Sequence, residues 1–330
     1  MQEVFKFIVN SIYGVLLFPH FRLFDKIEGA LITNSGRNSV LIAKNTIMTL
    51  LSLKLIYGDT DSIYFKSPFT LLDDIVKHVN EVITIVNKTI EKIYKEKLNC
   101  DICAIKFDLD KIYGSIFFKY LKGTTETAKK MYAGRVIYAK GKVMDELVIK
   151  GFDRSDVSDL ATEVREHLFK KLLYEYRDDN KLVIKDEVIT YLREKVKTFK
   201  ERKFPLYYVC QSKGIRKHLE EYANQDWIRG ARWFNDNAFR LNTPTRYGHG
   251  SKPKFMYVLP ELLPPEYTKS DIVALDEYNE LPKEIVNAMD MDKMIEKTFV
   301  VKIEDIVSVI GIKENDYATS TRIRTGTIVY

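Results

Sequence analysis

Asp59 and Asp61 stand one residue apart in the run Tyr57-Gly58-Asp59-Thr60-Asp61-Ser62, between the apolar stretches Leu50 to Ile56 and Ile63 to Phe65. Strand formers, a Gly-Asp turn and a second short strand spell a β-hairpin. Two carboxylates at this spacing can face a shared point, where they repel each other unless a hard cation neutralises them. A bare D-x-D is also an ordinary solvated turn, since Asp and Gly favour turns for local reasons. What decides between the two is whether the chain supplies something for a metal to act on.

Three other groups bear on that question. Lys6, Asn10 and Tyr13 recur at i, i+4 and i+7 on one face of an expected helix. Lysine takes up phosphate charge and tyrosine offers a flat surface to a base or sugar, although a solvated helix face is the plain alternative. Lys129-Lys130-Met131-Tyr132 precedes an expected strand, and adjacent cations beside a ring suit a phosphate backbone, or are simply surface. Ala104 to Asp110 alternates, so a strand there places Phe107 and Leu109 on one face and Asp108 and Asp110 on the other. Those acids either add a carboxylate near the hairpin or point into solvent. Cys100 and Cys103 form a C-x-x-C, but only Cys210 and five scattered histidines remain. Reduced, half-buried thiols are expected rather than zinc or redox chemistry.

The elements that must position these residues follow from periodicity. A helix is expected from residue 4, closed by Gly14, and a second from about Gly36 to Ser52 leads into the acidic hairpin. A third covers about Leu71 to Lys97, with Ile75, Val79, Val82, Ile83, Val86 and Ile90 on its apolar face. Strands are expected at 104–110, 116–121 and 134–139. The second half is expected to be mainly helical, at 156–177, 185–200 and 215–236, with a Pro- and Gly-rich interruption over 243–265. A last helix at 291–310 ends at Gly311, followed by a polar tail. The fold class is therefore mixed α/β (α+β), with a sheet in the first half and a helical domain from about Gly151. No internal repeat is present.

Composition sets wider bounds. With 330 residues, 45% hydrophobic and 30% charged, the chain is an ordinary globular protein of about two domains. The net charge of +6 is compatible with a polyanionic partner but does not require one, because 46 acidic residues offset 52 basic ones. No apolar run approaches the roughly 20 residues of a membrane span, and the N-terminus has no signal-peptide pattern. The expectation is a soluble, cytoplasmic chain without a membrane partner, associated with the nucleoid, or in the host cytoplasm if viral.

Read in order, these groups resemble the family B DNA polymerases. Lys6 to Gly14 matches the fingers pattern K-x-x-x-N-S-x-Y-G at every fixed position, Gly36-Arg37 is similar to the following G-R, and Tyr57 to Ser62 is identical to the palm motif Y-G-D-T-D-S. Phe107 to Lys111 resembles the strand ending in a palm acid, with Asp110 where the family usually has Glu. Lys129 to Tyr132 is similar to K-K-x-Y. Lys150-Gly151, Arg154-x-Asp156, Ser212-Lys213 with Leu219 and Tyr222, Pro253 to Leu259 and Asp292 to Gly311 resemble, more loosely, successive thumb segments.

The resemblance implies the C-terminal part of the fingers over 1–45, a palm over 46–150 with the acidic hairpin and an antiparallel sheet flanked by helices, a mainly helical thumb over 151–311 and a polar tail over 312–330. It implies nucleotidyl transfer from a dNTP to a primer 3′-hydroxyl with two Mg²⁺ ions. Asp61 would be a direct metal ligand and Asp59 a weaker one, with Asp110 a supporting acid. Lys6, Asn10 and Tyr13 would hold the nucleotide. Lys129, Lys130 and Tyr132, with Gly58 and Thr60 of the hairpin, would lie along primer–template DNA.

The family's other palm motif, D-x-x-S-L-Y-P-S, which supplies a second metal-binding aspartate, occurs nowhere here. The expected partner is thus an N-terminal polymerase chain carrying that motif and the exonuclease, with one metal site shared between chains. The isolated chain is expected to be inactive, whether it is the small subunit of a split archaeal or viral enzyme or an excised portion. No Q-x-x-aliphatic-x-x-aromatic-aromatic motif marks the tail, so a sliding clamp is an open partner. The alternatives are a non-catalytic DNA-binding or assembly subunit derived from a polymerase, and an unrelated metal-dependent nuclease or cyclase, which would need another acidic cluster.

Overall fold

The computed structural model describes residues 2–98, 102–121, 124, 126–152, 156–276 and 278–318. They form two compact units, Met1–Ile112 with Ile137–Met144, and Tyr113–Val136 with Asp145–Tyr330. The architecture is mixed α/β, as expected. No helix of the described residues is long and apolar enough to cross a membrane.

The first unit begins with helix α1 (Gln2–Leu16) and helix α2 (Lys26–Asn45), the latter extended by a π-helical turn at Thr46–Leu50. α1 does not close at Gly14. One helical glycine costs about 1 kcal/mol, too little to stop a helix, and the chain turns only after Leu16, ahead of Pro19. α2 starts ten residues before the expected Gly36, because Asp25 caps it by accepting from the backbone N–H groups of Ile27 and Glu28 at 2.9 and 3.0 Å. Strands β1 (Leu55–Asp59) and β2 (Ser62–Phe65) follow, then helix α3 (Leu72–Leu98), close to its expected span.

Val82, Val86, Ile90 and Tyr94 of α3 bury against Ala43 and Ile47, with Ile63, Phe65, Ile105 and Phe107 packed around them. Tyr94 adds a polar tie to α2, its hydroxyl lying 2.9 Å from both Ser39 Oγ and the Ser35 carbonyl.

Residues 104–110 are not a strand; the strand starts at Lys111. The alternation nevertheless holds, with Ile105, Phe107 and Leu109 half-buried and Lys106, Asp108 and Asp110 exposed. A side chain replaces the missing strand neighbour. Asn87 of α3 donates from Nδ2 to the Phe107 carbonyl at 2.9 Å and accepts from the Phe107 N–H at 2.8 Å.

The second unit holds most of a three-stranded sheet, β3 (Lys111–Tyr120), β4 (Thr127–Ala139) and β5 (Lys142–Lys150), in that order. Two of its strands overlap the expected ones, and β5 was not expected. Helices α4 (Asp159–Lys170), α5 (Lys181–Lys200), the short α6 (Leu206–Val209) and α7 (Asp226–Asn237) come next. A small antiparallel sheet is formed by β6 (Gln211–Ser212), β7 (Lys254–Tyr257) and β8 (Ile272–Ala274), and α7 packs on β7 and β8. Leu160, Leu168, Phe169, Leu192, Phe234 and Phe299 are fully enclosed in this core.

The second half is mainly helical, as expected, and β7 falls within Pro253 to Leu259; β6 and β8, of two and three residues, are too short to show a period. One expectation fails here. The expected helix at 215–236 begins only at Asp226, since the chain first makes a 3₁₀ turn at Leu219–Glu221, where Arg232 Nη2 donates to the Leu219 and Tyr222 carbonyls at 2.6 and 3.3 Å. The last helical stretch does span Met291–Ile310 and ends at Gly311 with φ +70°. Beyond it Ile312, Tyr317 and Ala318 are buried, while 319–330 of the expected tail lie outside the described residues.

Cys103 is half-buried and Cys210 buried, both as free thiols. Burial pushes the Cys210 thiol up. Cys100 lies outside the described residues.

Candidate functional site

The hairpin is tighter than its sequence suggests. Asp59 pairs with Ser62 and Gly58 with Ile63, so Gly58 and Asp59 belong to β1, and only Thr60 and Asp61 form the turn. The expected Gly-Asp turn is therefore displaced by two residues. A two-residue connection matches the natural twist of paired strands. A register irregularity between Leu55 and Tyr57 lets Tyr57 bury while Ile56 stays exposed. Tyr57 and Tyr64 then brace the hairpin edge to face, with ring centroids 5.4 Å apart.

This base holds the two carboxylates differently. Asp59 is half-buried and accepts at Oδ1 from the Thr60 N–H at 2.8 Å and the Thr60 hydroxyl at 3.2 Å. Asp61 is exposed at the tip. Two carboxylates are a hard oxygen donor set, which suits Mg²⁺ better than a thiol- or imidazole-seeking metal. They are too few to enclose an ion. Among the described residues, no three His, Cys, Asp or Glu side chains form a metal-binding group. Asp110 is accordingly not gathered with Asp59 and Asp61; it is exposed, with Lys111 Nζ at 4.0 Å.

α1 carries Asn10, exposed, and Tyr13, half-exposed. The Lys6 side chain lies outside the described residues. At 100° per residue, Val4, Ile8 and Ile12 form an arc across the helix from Lys6, Asn10 and Tyr13, with Phe5 and Val9 on the flank between. That arc is unpacked: Phe5 is 63% and Val9 63% exposed, and Phe7 beside it is 73% exposed. None of the described side chains of α1 is fully buried.

Lys129, Lys130 and Tyr132 lie in the second unit, on β4. Lys130 has a positive φ of 59°, which breaks the strand's alternation, so that Lys129 and Lys130 are both exposed while Met131 and Tyr132 are half-buried. Tyr132 packs against Tyr113 and Phe118, with centroids 6.4 and 5.9 Å away. The Lys130 carbonyl passes so near Gly151 that a Cβ there would lie 2.2 Å from it, and Gly151 itself has φ +73°. Glycine is required at that position.

In the R-x-D segment Arg154 lies outside the described residues, but Asp156 receives Lys302 Nζ at 3.4 Å. Burial pushes the Asp156 carboxyl up, and the Lys302 charge and hydrogen bond more than offset this, holding it below the usual range. Burial lowers Lys302 despite the same partner. Lys213 also acts on both groups, and its ammonium sits 3.7 Å from the centroid of Trp227. Sequence reasoning missed Lys302 and Trp227, since only the folded chain brings them to residues 156 and 213.

The profile of "DNA polymerase family B" matches residues 1–232. The DNA polymerase alpha catalytic subunit of Drosophila melanogaster is 30% identical over 228 residues, covering 68% of this chain and 14% of the fly protein. A DNA polymerase of Archaeoglobus fulgidus is 26% identical over 223 residues, covering 67% of this chain and 24% of that one. In fold, the chain is similar to the family B DNA polymerase of Pyrobaculum calidifontis, with a TM-score of 0.55 and 24% identity, over 95% of this chain and 34% of that structure. The chain thus spans only a minor part of each of these proteins.

Proposed function

The chain belongs to DNA polymerase family B, and from that premise we propose that it is the part of a DNA-directed DNA polymerase comprising the end of the fingers, the palm and the thumb. One observation carries the reading. Within the matched segment, a braced two-residue hairpin holds Asp61 exposed at its tip with Asp59 beside it in the strand.

Asp61 and Asp59 would hold Mg²⁺, which supplies charge neutralisation for in-line attack of a primer 3′-hydroxyl on the α-phosphate of a dNTP. The remaining roles belong to the chain's own groups. Lys6 offsets triphosphate charge, and Asn10 and Tyr13 position the nucleotide on α1. Gly58 and Thr60 border the primer end, and Lys129, Lys130 and Tyr132 grip the duplex. Asp110 acts at most as a supporting acid.

The palm motif D-x-x-S-L-Y-P-S occurs nowhere in this sequence, so in this reading a partner polypeptide contributes that aspartate, with the exonuclease on the same chain. The unpacked apolar arc of α1 supports this, because exposed apolar surface of that extent marks an interaction site. The test is primer extension. Mixing the chain with a polypeptide that bears the other palm motif restores synthesis, and Asp61→Ala in this chain abolishes it. Robust synthesis by this chain alone would overturn the shared-site reading.

The rival is a non-catalytic DNA-binding or assembly subunit derived from a polymerase, against which the intact Asp59 and Asp61 argue. It requires salt-sensitive duplex binding that no partner converts into synthesis.

A further inference from the structure

The second unit holds a cavity of about 460 Å³ between the C-terminal half of α5 and the short helix Glu314–Tyr317. That volume lies within the roughly 300–1,000 Å³ of small-molecule sites. Val196 and Tyr317, each 5% exposed, give the cavity an apolar base. Along one side Arg193, Lys197 and Lys200 recur at i, i+4 and i+7 of α5, and all three are exposed. They share one face of the helix, about 6 and 10 Å apart along its axis. Arg193 Nε donates to the Asp316 carbonyl at 2.8 Å and ties the two walls together. No ion pair engages Lys197 among the described residues. Two carboxylates line the same cavity, and both are already committed: Glu201 to Lys203 Nζ at 2.8 Å, and Asp316 Oδ2 to the Lys313 N–H at 2.8 Å.

Tyr317 adds an independent observation. Its hydroxyl is buried and has no hydrogen-bond partner, whereas buried phenols ordinarily find an acceptor. Burial, with the charges of Glu314, Glu304 and Asp316, pushes the phenol up, so the group stays protonated and able to donate. The same three carboxylates disfavour an anion beside it. The acceptor that suits Tyr317 is therefore uncharged, while an anionic group belongs beside the cations of α5.

We propose that this cavity binds a nucleoside phosphate, with the phosphate against Arg193 and Lys197 and the sugar or base against Tyr317 and Asn315. A molecule of this class carries both kinds of group at once: a phosphate that a guanidinium and an ammonium can neutralise, and, on an apolar ring, neutral acceptors for a phenol and an amide. A bare phosphate would leave the apolar base and the phenol unused, and a duplex is too wide to enter. Because the hydroxyl is shut from water, the turn at Glu314–Tyr317 must yield as the ligand enters. The site lies in the second unit and draws on no residue of α1 or the hairpin.

Isothermal titration calorimetry of the full chain with AMP and with UMP tests this, in EDTA so that no metal-dependent nucleotide site contributes. At least one of the two should bind saturably. Tyr317→Phe should lower that affinity about fivefold, the equivalent of one net hydrogen bond, and melt no lower than the wild type, since it removes an unsatisfied donor. Lys197→Ala should lower it about tenfold, and Lys197→Arg should keep it within about twofold. Adenosine or uridine, and inorganic phosphate, should each bind at least about tenfold more weakly than the nucleotide. The site is overturned if neither nucleotide binds saturably, or if affinity is untouched by Lys197→Ala or by a Tyr317→Phe chain that folds. It is equally overturned if the nucleoside or inorganic phosphate alone binds as tightly as the nucleotide.

Discussion

Asn87→Ala should loosen the segment that carries Asp108 and Asp110 by about 2 kcal/mol. Asn87 makes two hydrogen bonds to the backbone of Phe107, at 2.9 and 2.8 Å, in a half-buried setting. They stand in for the ladder of a neighbouring strand that the segment lacks. A net hydrogen bond is worth about 1 kcal/mol where water can partly replace it, and two give about 2 kcal/mol. That is roughly a 30-fold increase in local opening, at 1.4 kcal/mol per factor of ten. Asn87→Asp keeps the acceptor for the Phe107 N–H and loses the donor, so about fivefold is expected. Hydrogen-exchange mass spectrometry on the 102–110 peptide reads this opening, with the α3 peptide as the internal reference. An increase below threefold in the alanine variant, or equal effects of Ala and Asp, would refute the idea that the amide replaces a strand.

Two further outcomes follow. Phe7→Glu should leave the chain's own melting temperature unchanged, because Phe7 is 73% exposed, while weakening capture of the complementary polymerase polypeptide at least tenfold in a titration. The second unit should lose stability in acid partly through Asp271. Burial raises that carboxyl, but hydrogen bonds from Lys293 and Arg229 more than offset it, so its folded pKa is depressed. Its stabilisation is therefore present above the ordinary carboxylate value of about 3.9 and lost as pH falls through the lower folded value. Acid melts of Asp271→Asn should lack that component, and an unchanged acid slope would show the triad to be inert.

How much of this was legible in the sequence varied with the range of the forces involved. Six residues, Tyr57 to Ser62, announced the hairpin, because strand propensity and turn chemistry act locally. α3 was legible from its apolar stripe, and the last helix from Gly311. The start of α2 was not, since its first turns expose Ile27, Leu31 and Ile32 and blur the period that a packed helix would show. A capping signal at Asp25 was available and would have placed it. Residues 104–110 alternate like a strand without being one, because alternation reports burial on one side and not a hydrogen-bonded neighbour. The cavity between α5 and Tyr317 was invisible, because its walls lie more than a hundred residues apart in the chain.

Two features of the first unit bear on the proposed partner: its hairpin offers two carboxylates, which Mg²⁺ can share with water and phosphate oxygens, and its α1 leaves an apolar arc in water. Two helical glycines add a third sign. Gly14 and Gly36 each cost their helix roughly 0.5–1 kcal/mol relative to alanine, yet nothing lies within 4 Å of a Cβ built at either. Neither glycine is needed to relieve crowding inside the unit, and each lies in a helix where φ is ordinary. A small residue at an open helical position is useful when another backbone or a ligand must come close. Burying the exposed part of each apolar side chain on α1 is worth on the order of 1 kcal/mol, so a partner docking there would recover what the isolated unit gives up. In the proposed reading, the bare helix arc and the two open glycines would face the polypeptide that contributes the other palm motif.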